Sequence, residues 1–529
     1  MNWIPPDITL PWLSVACGLP ALGAVVLALL PRERDLLVKQ TAVAFAGLTL
    51  VLSLIIAVQY DPSGGMQFVE EYAWIPTFGI HFALGLDGIG LVLFLLTAVI
   101  TPIVMLASWY EPDNVSAARG VLSSEAPRRG VKTFFALVLL LEALALGVFA
   151  ATDVFLFYLL FEATLIPMYF LIGGYGGPRR SYAAVKFLIY SLVGGLIMLA
   201  AVIGLYAVSA AQNDDPSMLL SSLTGLDIDP TVQKWLFVGF FVAFAIKAPM
   251  WPVHTWLPDA AREATPGTAV LLVAILDKIG TFGMIRFCLQ IFPDASRWAT
   301  PLIIVLAVIS VLYGAICAIG QRDIKRLIAY TSISHFGVIV LGIFALTNLS
   351  AAGATLYMVN HGLATAALFL VAGYFILRRN SAQIGDFGGV DKVAPVGSGI
   401  FLFAVLSGLA LPGLAPFVSE FMALAGTFQR YRVAAVIATV SIILAALYML
   451  ILYQRTMTGP TATSVANMPD LRPREIVAVV PLIVLILGLG LFPKPALDVI
   501  SPAVDSTLQQ VGVSDPEPSH PVTAPSESE

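Results

Sequence analysis

From Leu327 to Leu377 the chain contains no aspartate, glutamate, lysine or arginine. A single helix of that length would run to about 75 Å at 1.5 Å per residue, against a bilayer hydrocarbon core of about 30 Å. The stretch therefore reads as two membrane crossings, and Thr347-Asn348-Leu349-Ser350 is the polar break between them. The rest of the chain is similar in kind. Hydrophobic residues make up 58% of its 529 residues and charged residues 12%, whereas soluble domains carry about 45–50% and about 25%. So few charges cannot coat a water-facing surface, and lipid becomes the solvent the sequence implies.

A window of about 20 apolar residues places about fourteen spans, near 9–30, 38–59, 83–109, 131–150, 153–173, 184–210, 234–256, 265–292, 299–320, 324–346, 351–377, 398–428, 432–457 and 474–492. Asp153 is a natural N-cap between the fourth and fifth. The expected fold class is an all-α polytopic membrane protein. From residue 501 onward, Asp-Pro-Glu-Pro-Ser-His-Pro and Ser-Glu-Ser-Glu cannot bury a core, so 501–529 reads as a disordered tail.

The basic residues test the count. Alternate loops hold 20 of the 28 lysines and arginines on one side, Arg32, Arg119, Arg128, Arg129, Arg179, Arg262, Arg326 and Arg378 among them. The other side holds 5, and Lys247, Lys278 and Arg286 fall inside spans. A miscounted helix would scramble that asymmetry. Positive loops face the cytoplasm, so both termini are expected on the outer side. No basic segment precedes the first apolar run, so the first span is expected to persist rather than to be cleaved as a signal. No basic patch with interleaved aromatics points to nucleic acid. Cys17, Cys288 and Cys317 lie in apolar runs without metal or iron–sulfur spacing.

The informative residues are charges where lipid should exclude them. Glu142 lies in span 4, Glu162 in span 5, Lys247 in span 7, Lys278 beside Asp277 in span 8, and Glu420 in span 12. His254, His335 and His361 fall in or near spans 7, 10 and 11. Each charge at the bilayer centre costs about 2.5–3.5 kcal/mol on insertion scales, and such residues mark ion paths. Mutual pairing would explain one or two of them. Membrane helices usually pack through small residues and neutral hydrogen bonds, so titratable groups on many spans point to proton transfer. Burial lowers a lysine pKa and raises a carboxyl pKa, which brings both toward the range where a proton moves freely. Moving Glu162 relative to Lys247, or Asp277 relative to Lys278, would switch the lysine between holding and releasing a proton.

Prolines mark the same places. Span 7 contains Lys247-Ala248-Pro249-Met250-Trp251-Pro252, and span 12 contains Leu411-Pro412-Gly413-Leu414-Ala415-Pro416. Proline removes a bond to the carbonyl four residues back, so Pro249 is expected to free that of Ala245, Pro416 that of Pro412, and Pro167 that of Ala163. Interrupted helices in matching positions of two halves point to a transport site.

The strings FEATLIPMYFLIGGYG, KAPMWPVHTWLPDA, DIKRLIAYTSISHFG, VNHGLATAALFL and LPGLAPFVSEFMAL resemble the antiporter-like subunits of respiratory complex I, over roughly residues 80–460. That resemblance implies fourteen helices with two inverted five-helix repeats and broken helices 7 and 12. It divides the chain into helices 1–3 within 1–130, a first repeat at 131–292, a second at 293–457, and helix 14 within 458–500. Glu420, where the L and N types and the Mrp-type antiporters typically carry lysine, resembles the M type, as does FEATLIPMYFLI. Carried over, Glu162 and Lys247 match the helix 5–helix 7 ion pair. Lys278 matches the central lysine, His335 and His361 the linking histidines, and Glu420 the terminal group. Glu142 matches a lesser helix 4 carboxylate, and His254 a helix 7 histidine. Two positions depart from the pattern: Ala261 stands where the family usually has histidine, and Asp277 where it usually has an apolar residue. The resemblance implies a proton-translocating chain in a bacterial inner membrane. Its partners would be L-type and N-type subunits and lipid, with flavin, iron–sulfur clusters and quinone in other subunits and no cofactor here. The alternative is a subunit of a Mrp-type cation/proton antiporter.

Overall fold

The computed structural model describes residues 10–31, 33–112 and 130–517. Arg32, Arg119, Arg128 and Arg129 of the charge asymmetry, and the last twelve positions of the expected tail, lie outside the described residues. Among them the chain forms seventeen substantial helices. They are α1 Trp12–Leu29, α2 Asp35–Gln59, α3 Gly88–Ala107, α4 Val131–Ala150, α5 Val154–Tyr175 and α6 Arg180–Gln212. Next come α7 Pro230–Lys247, α8 Trp256–Glu263, α9 Pro266–Leu289, α10 Pro293–Ile319, α11 Ile324–Phe344 and α12 Asn348–Arg379. The last are α13 Pro395–Gly408, α14 Ala415–Arg430, α15 Arg432–Met457, α16 Pro473–Leu491 and α17 Lys494–Val511. Twelve of these are long and apolar enough to cross a membrane. The pairs α7/α8 and α13/α14 are the two interrupted elements.

Burial sorts the helices into a rim and a core. On α1, α2, α6, α15 and α16 large apolar side chains such as Leu29, Val58, Ile203, Ile443 and Val484 remain exposed, as lipid-facing surfaces require. Nearly every residue of α9, α11 and α12 is buried. Close backbone approach through small residues packs this core. A Cβ on Gly353 of α12 would stand 2.6 Å from the backbone nitrogen of Ala423 on α14.

Two elements depart from the sequence reading. Residues 83–86, assigned to the third span, belong to a strand. β1 Gln67–Ile75 and β2 Ile80–Leu86 form an antiparallel hairpin, with Glu71 opposite Ala83 and Tyr72 opposite Phe82. The helix begins later because the Asp87 carboxylate accepts the Gly90 N–H at 2.8 Å and caps α3. The hairpin is pinned to the bundle where Thr152 donates to Ala83 at 3.0 Å and His81 to the Asp153 carboxylate at 2.9 Å. Glu70 accepts the Leu13 N–H at 2.7 Å at the start of α1. The second departure is the tail. Residues 501–511 are not disordered, because α17 continues to Val511 and buries Ile500, Val504, Leu508 and Val511 against the bundle. Gln290 donates to Thr507 at 3.0 Å. The apolar residues of α17 recur at helical spacing, a local signal that the Pro-rich end of the chain obscures.

The hairpin and α17 lie at one end of the bundle. The opposite end gathers Arg179 with Glu263, Arg262 with Asp323, and Arg378 with Glu475 at 2.5 Å.

Candidate functional site

α7 ends at Lys247 because Ala248 precedes Pro249 and leaves helical geometry, at φ −89° and ψ 72°, as residues before proline do. The freed carbonyls are taken up locally. Ala245 accepts from the Met250 N–H at 3.0 Å, so the expected unpaired carbonyl is paired, and Ile246 accepts from the Trp256 indole at 2.9 Å. At the second interruption Ala410 and Gly413 take left-handed conformations, with φ +58° and +93°. Pro416 sits in the first turn of α14, where a missing N–H removes no helix bond. It starts a helix rather than freeing the Pro412 carbonyl.

Lys247 is buried at the end of α7. Its Nζ donates to Thr164 Oγ1 at 3.4 Å and stands 4.9 Å from the Phe161 ring centre and 5.8 Å from that of Phe187. These rings partly replace its lost hydration. Thr164 lies at an irregular turn of α5, where its hydroxyl also donates to the Phe161 carbonyl at 2.7 Å. Glu162, half-buried on the same helix, makes no direct salt bridge with Lys247. The two act on each other through space, and Asp277 is the other acid acting on Lys247. Glu162 lies against Gly195 of α6, the residue whose missing side chain leaves room for its carboxylate.

Lys278 lies on α9 at 0% exposure, between two π-helical stretches, Leu271–Leu276 and Met284–Leu289. Such insertions are frequent at functional sites. Its Nζ meets the Val273 carbonyl at 2.6 Å and His361 Nδ1 at 2.8 Å, with the Phe336 ring centre at 4.9 Å. The His361 ring stands perpendicular to His335, with centres 5.3 Å apart, and the His335 ring is 5.7 Å from Tyr357. Tyr357 donates its hydroxyl to Glu420 Oε2 at 3.3 Å. Asn360 donates to the Ala415 carbonyl at 2.7 Å and to Ser419 at 3.1 Å, which ties α12 to the first turn of α14 below Glu420.

The structure therefore brings Lys278, His361, His335 and Glu420 into one contiguous row, and sets Glu162 and Lys247 as a second group. Glu142 is buried on α4 beside Thr101 of α3, and no hydrogen bond or ion pair joins it to either group. His254 packs its ring on Tyr313, with centres 4.9 Å apart, and neither ring nitrogen has a partner. It lies in the α7–α8 interruption, apart from the row. Sequence reasoning missed Thr164, Tyr357 and Asn360. Tyr357 stands four residues before His361, on the same helix face, and that spacing was the available signal. Among the described residues no cluster of three or more His, Cys, Asp or Glu could hold a metal.

A helical membrane bundle whose buried centre carries a row of titratable side chains, flanked by two interrupted helices, defines an ion-translocating class of membrane protein. The family model described as NADH:quinone oxidoreductase/Mrp antiporter, TM, matches residues 151–445. NADH-quinone oxidoreductase subunit M of Mycobacterium tuberculosis is 52% identical over 537 residues, covering 97% of each chain. The subunit M of Rhodobacter capsulatus is 37% identical, with 94% of this chain and 96% of that one covered. A chain of respiratory complex I from Thermus thermophilus superposes with a TM-score of 0.84 at 32% identity, over 95% of this chain and all of that one. The Mrp complex from Dietzia shares the fold, with a TM-score of 0.80 at 21% identity. The chain belongs to the NADH:quinone oxidoreductase/Mrp antiporter transmembrane family.

Proposed function

We propose that this chain translocates protons as an M-type membrane-arm subunit of a bacterial NADH:quinone oxidoreductase, coupled to redox chemistry in other subunits. The observation that carries the reading is the buried row from Lys278 through His361, His335 and Tyr357 to Glu420. Lys278 meets a histidine nitrogen at 2.8 Å and has no carboxylate in salt-bridge contact. Along that bond a proton passes by breaking N–H on the ammonium and forming N–H on His361 Nδ1, with no movement of heavy atoms. The perpendicular rings of His335 and His361 and the Tyr357 hydroxyl carry the series on, through bridging water, to Glu420.

In this reading Glu162 is the input switch. Its approach to Lys247 holds a proton there, and its withdrawal releases one. The two interrupted helices, α7/α8 and α13/α14, repeat one design, which fits fourteen crossings with inverted repeats at 131–292 and 293–457. The arginine-rich end would face the cytoplasm, with the hairpin and α17 outside. L-type and N-type subunits would flank the chain, and flavin, iron–sulfur clusters and quinone would reside elsewhere in the assembly. The similarity to subunit M relatives and the acid at Glu420 favour this over a Mrp-type antiporter.

The test uses the whole complex in native membranes. Glu162→Gln and Lys247→Ala should abolish proton translocation and coupled quinone reduction, while electron transfer from NADH to an artificial acceptor survives. Normal pumping by either variant would refute the reading. Migration of the chain in native electrophoresis apart from any NADH-oxidising band would favour the antiporter.

A further inference from the structure

Among the described residues no hydrogen bond or ion pair joins the two groups of the site, and one residue lies where they should join. α9 carries Asp277 and Lys278 side by side, both at 0% exposure. Neighbouring helix positions point about 100° apart. Lys278 is turned to α12, where it meets His361. Asp277 shares its face with Gly280, one turn on. That face is pressed against the end of α7, since a Cβ on Gly280 would stand 2.6 Å from both the Ala248 nitrogen and the Phe244 carbonyl. Lys247 lies between those two residues in sequence. The cations acting on Asp277 are Lys278 and Lys247.

The carboxylate itself is unaccounted for. Neither oxygen has a hydrogen-bond partner, although buried polar groups are almost always partnered. A purely structural acid on this helix would be expected to look like Asp87, which pairs with Arg286 of α9 at 2.5 Å and caps α3. Asp277 does neither. The first π-helical stretch of α9 ends at Leu276, directly before Asp277, and the second begins at Met284.

We propose that Asp277 is a proton relay joining Lys247 to Lys278, and so the link between the two halves of the site; the proposal rests on the proton-translocation reading. In the first step an N–H bond of the Lys247 ammonium breaks and, through bridging water, an O–H bond forms on Asp277, leaving a neutral amine and a carboxylic acid. In the second, Lys278, neutral after giving a proton to His361, takes that proton: the O–H bond breaks, an N–H bond forms, and the carboxylate is restored. No electrons move.

The test uses the intact complex. Asp277→Asn should lower NADH-driven proton uptake and quinone reduction about a hundredfold, the low end for loss of a proton-transfer group, with the artificial-acceptor rate unchanged. Asp277→Glu should stay close to wild type. Infrared difference spectra on reduction should show a carboxylic C=O band that D277N loses and D277E shifts. Wild-type pumping by D277N, with K247A inactive, overturns the relay and leaves the proposed function standing. Wild-type pumping by K247A removes the proposed function itself. If D277N fails to assemble, the D277E band decides, and an unshifted band overturns the proposal. Equal loss in D277N and D277E with no Asp277-dependent band means a fixed counter-charge, which also overturns it.

Discussion

Gly195 of α6 offers a way to move the Glu162 carboxylate without touching its chemistry. A Cβ at this position would overlap Glu162 Oε1 and Cδ and stand 2.7 Å from Oε2. Ordinary contact begins at 3.4 Å, so in Gly195→Ala even Oε2 must retreat by about 0.7 Å, and Oε1 by more. The clash falls on the far end of a flexible side chain, and Oε1 has no hydrogen bond to lose. The stability penalty is then that of an off-rotamer side chain, about 0.5–1.5 kcal/mol, too little to prevent assembly. The functional penalty is larger, because a misplacement of about 1 Å at a reacting group can slow a reaction about a hundredfold. The assay compares NADH-driven proton uptake in inverted membrane vesicles with NADH oxidation by an artificial acceptor. Gly47→Ala on α2, where nothing lies within 4 Å, is the control. Coupled turnover should fall toward that hundredfold limit in G195A and stay unchanged in G47A. Wild-type coupled turnover in G195A, with the complex intact, would refute the role given to Glu162's position.

Two further substitutions probe the rest of the row and its frame. Tyr357→Phe removes the hydroxyl bonded to Glu420 at 3.3 Å. Loss of one such bond to an acid, about 1.5 kcal/mol, should slow coupled quinone reduction about tenfold, and unchanged turnover would take Tyr357 out of the path. Arg286→Met strands Asp87 in a buried site and should destabilise by about 3–5 kcal/mol, seen as loss of assembled complex in native electrophoresis. Asp87→Asn in the same chain removes the stranded charge but keeps an N-cap acceptor for α3. It should restore assembly, and failure to do so would show that the ion pair is not the cause.

Most of the bundle was legible because lipid imposes a simple pattern of long apolar runs, polar breaks and basic ends. The interruptions were legible for a related reason, since proline acts locally. What proline does to its neighbours was not: the Ala245 carbonyl is claimed by Met250, and Pro416 opens α14 instead of breaking a helix. The hairpin escaped because residues 83–86 are apolar enough to pass for a span start, and only the Asp87 cap separates strand from helix. Within the site, an isolated charge in an apolar run announces itself, so Lys278 and Glu420 could be named. Thr164 could not, because hydroxyls are common in membrane helices and only the fold shows which of them meets a lysine, and the spacing that sets Tyr357 on the face of His361 does not show that it meets an acid. Glu142 and His254 carry the same sequence signal as the others, yet the structure leaves them outside the row, since a sequence shows that a group is buried but not what it faces.

The central claim is that protons cross the membrane along the row that begins at Lys278. The most direct test measures NADH oxidation and proton uptake together in inverted vesicles carrying Lys278→Met. Methionine fills the space of the lysine stem without a titratable group. The account predicts undiminished electron flow to an artificial acceptor, slow quinone reduction and no proton uptake through this chain. Quinone reduction at the wild-type rate with the wild-type number of protons taken up per NADH would contradict it.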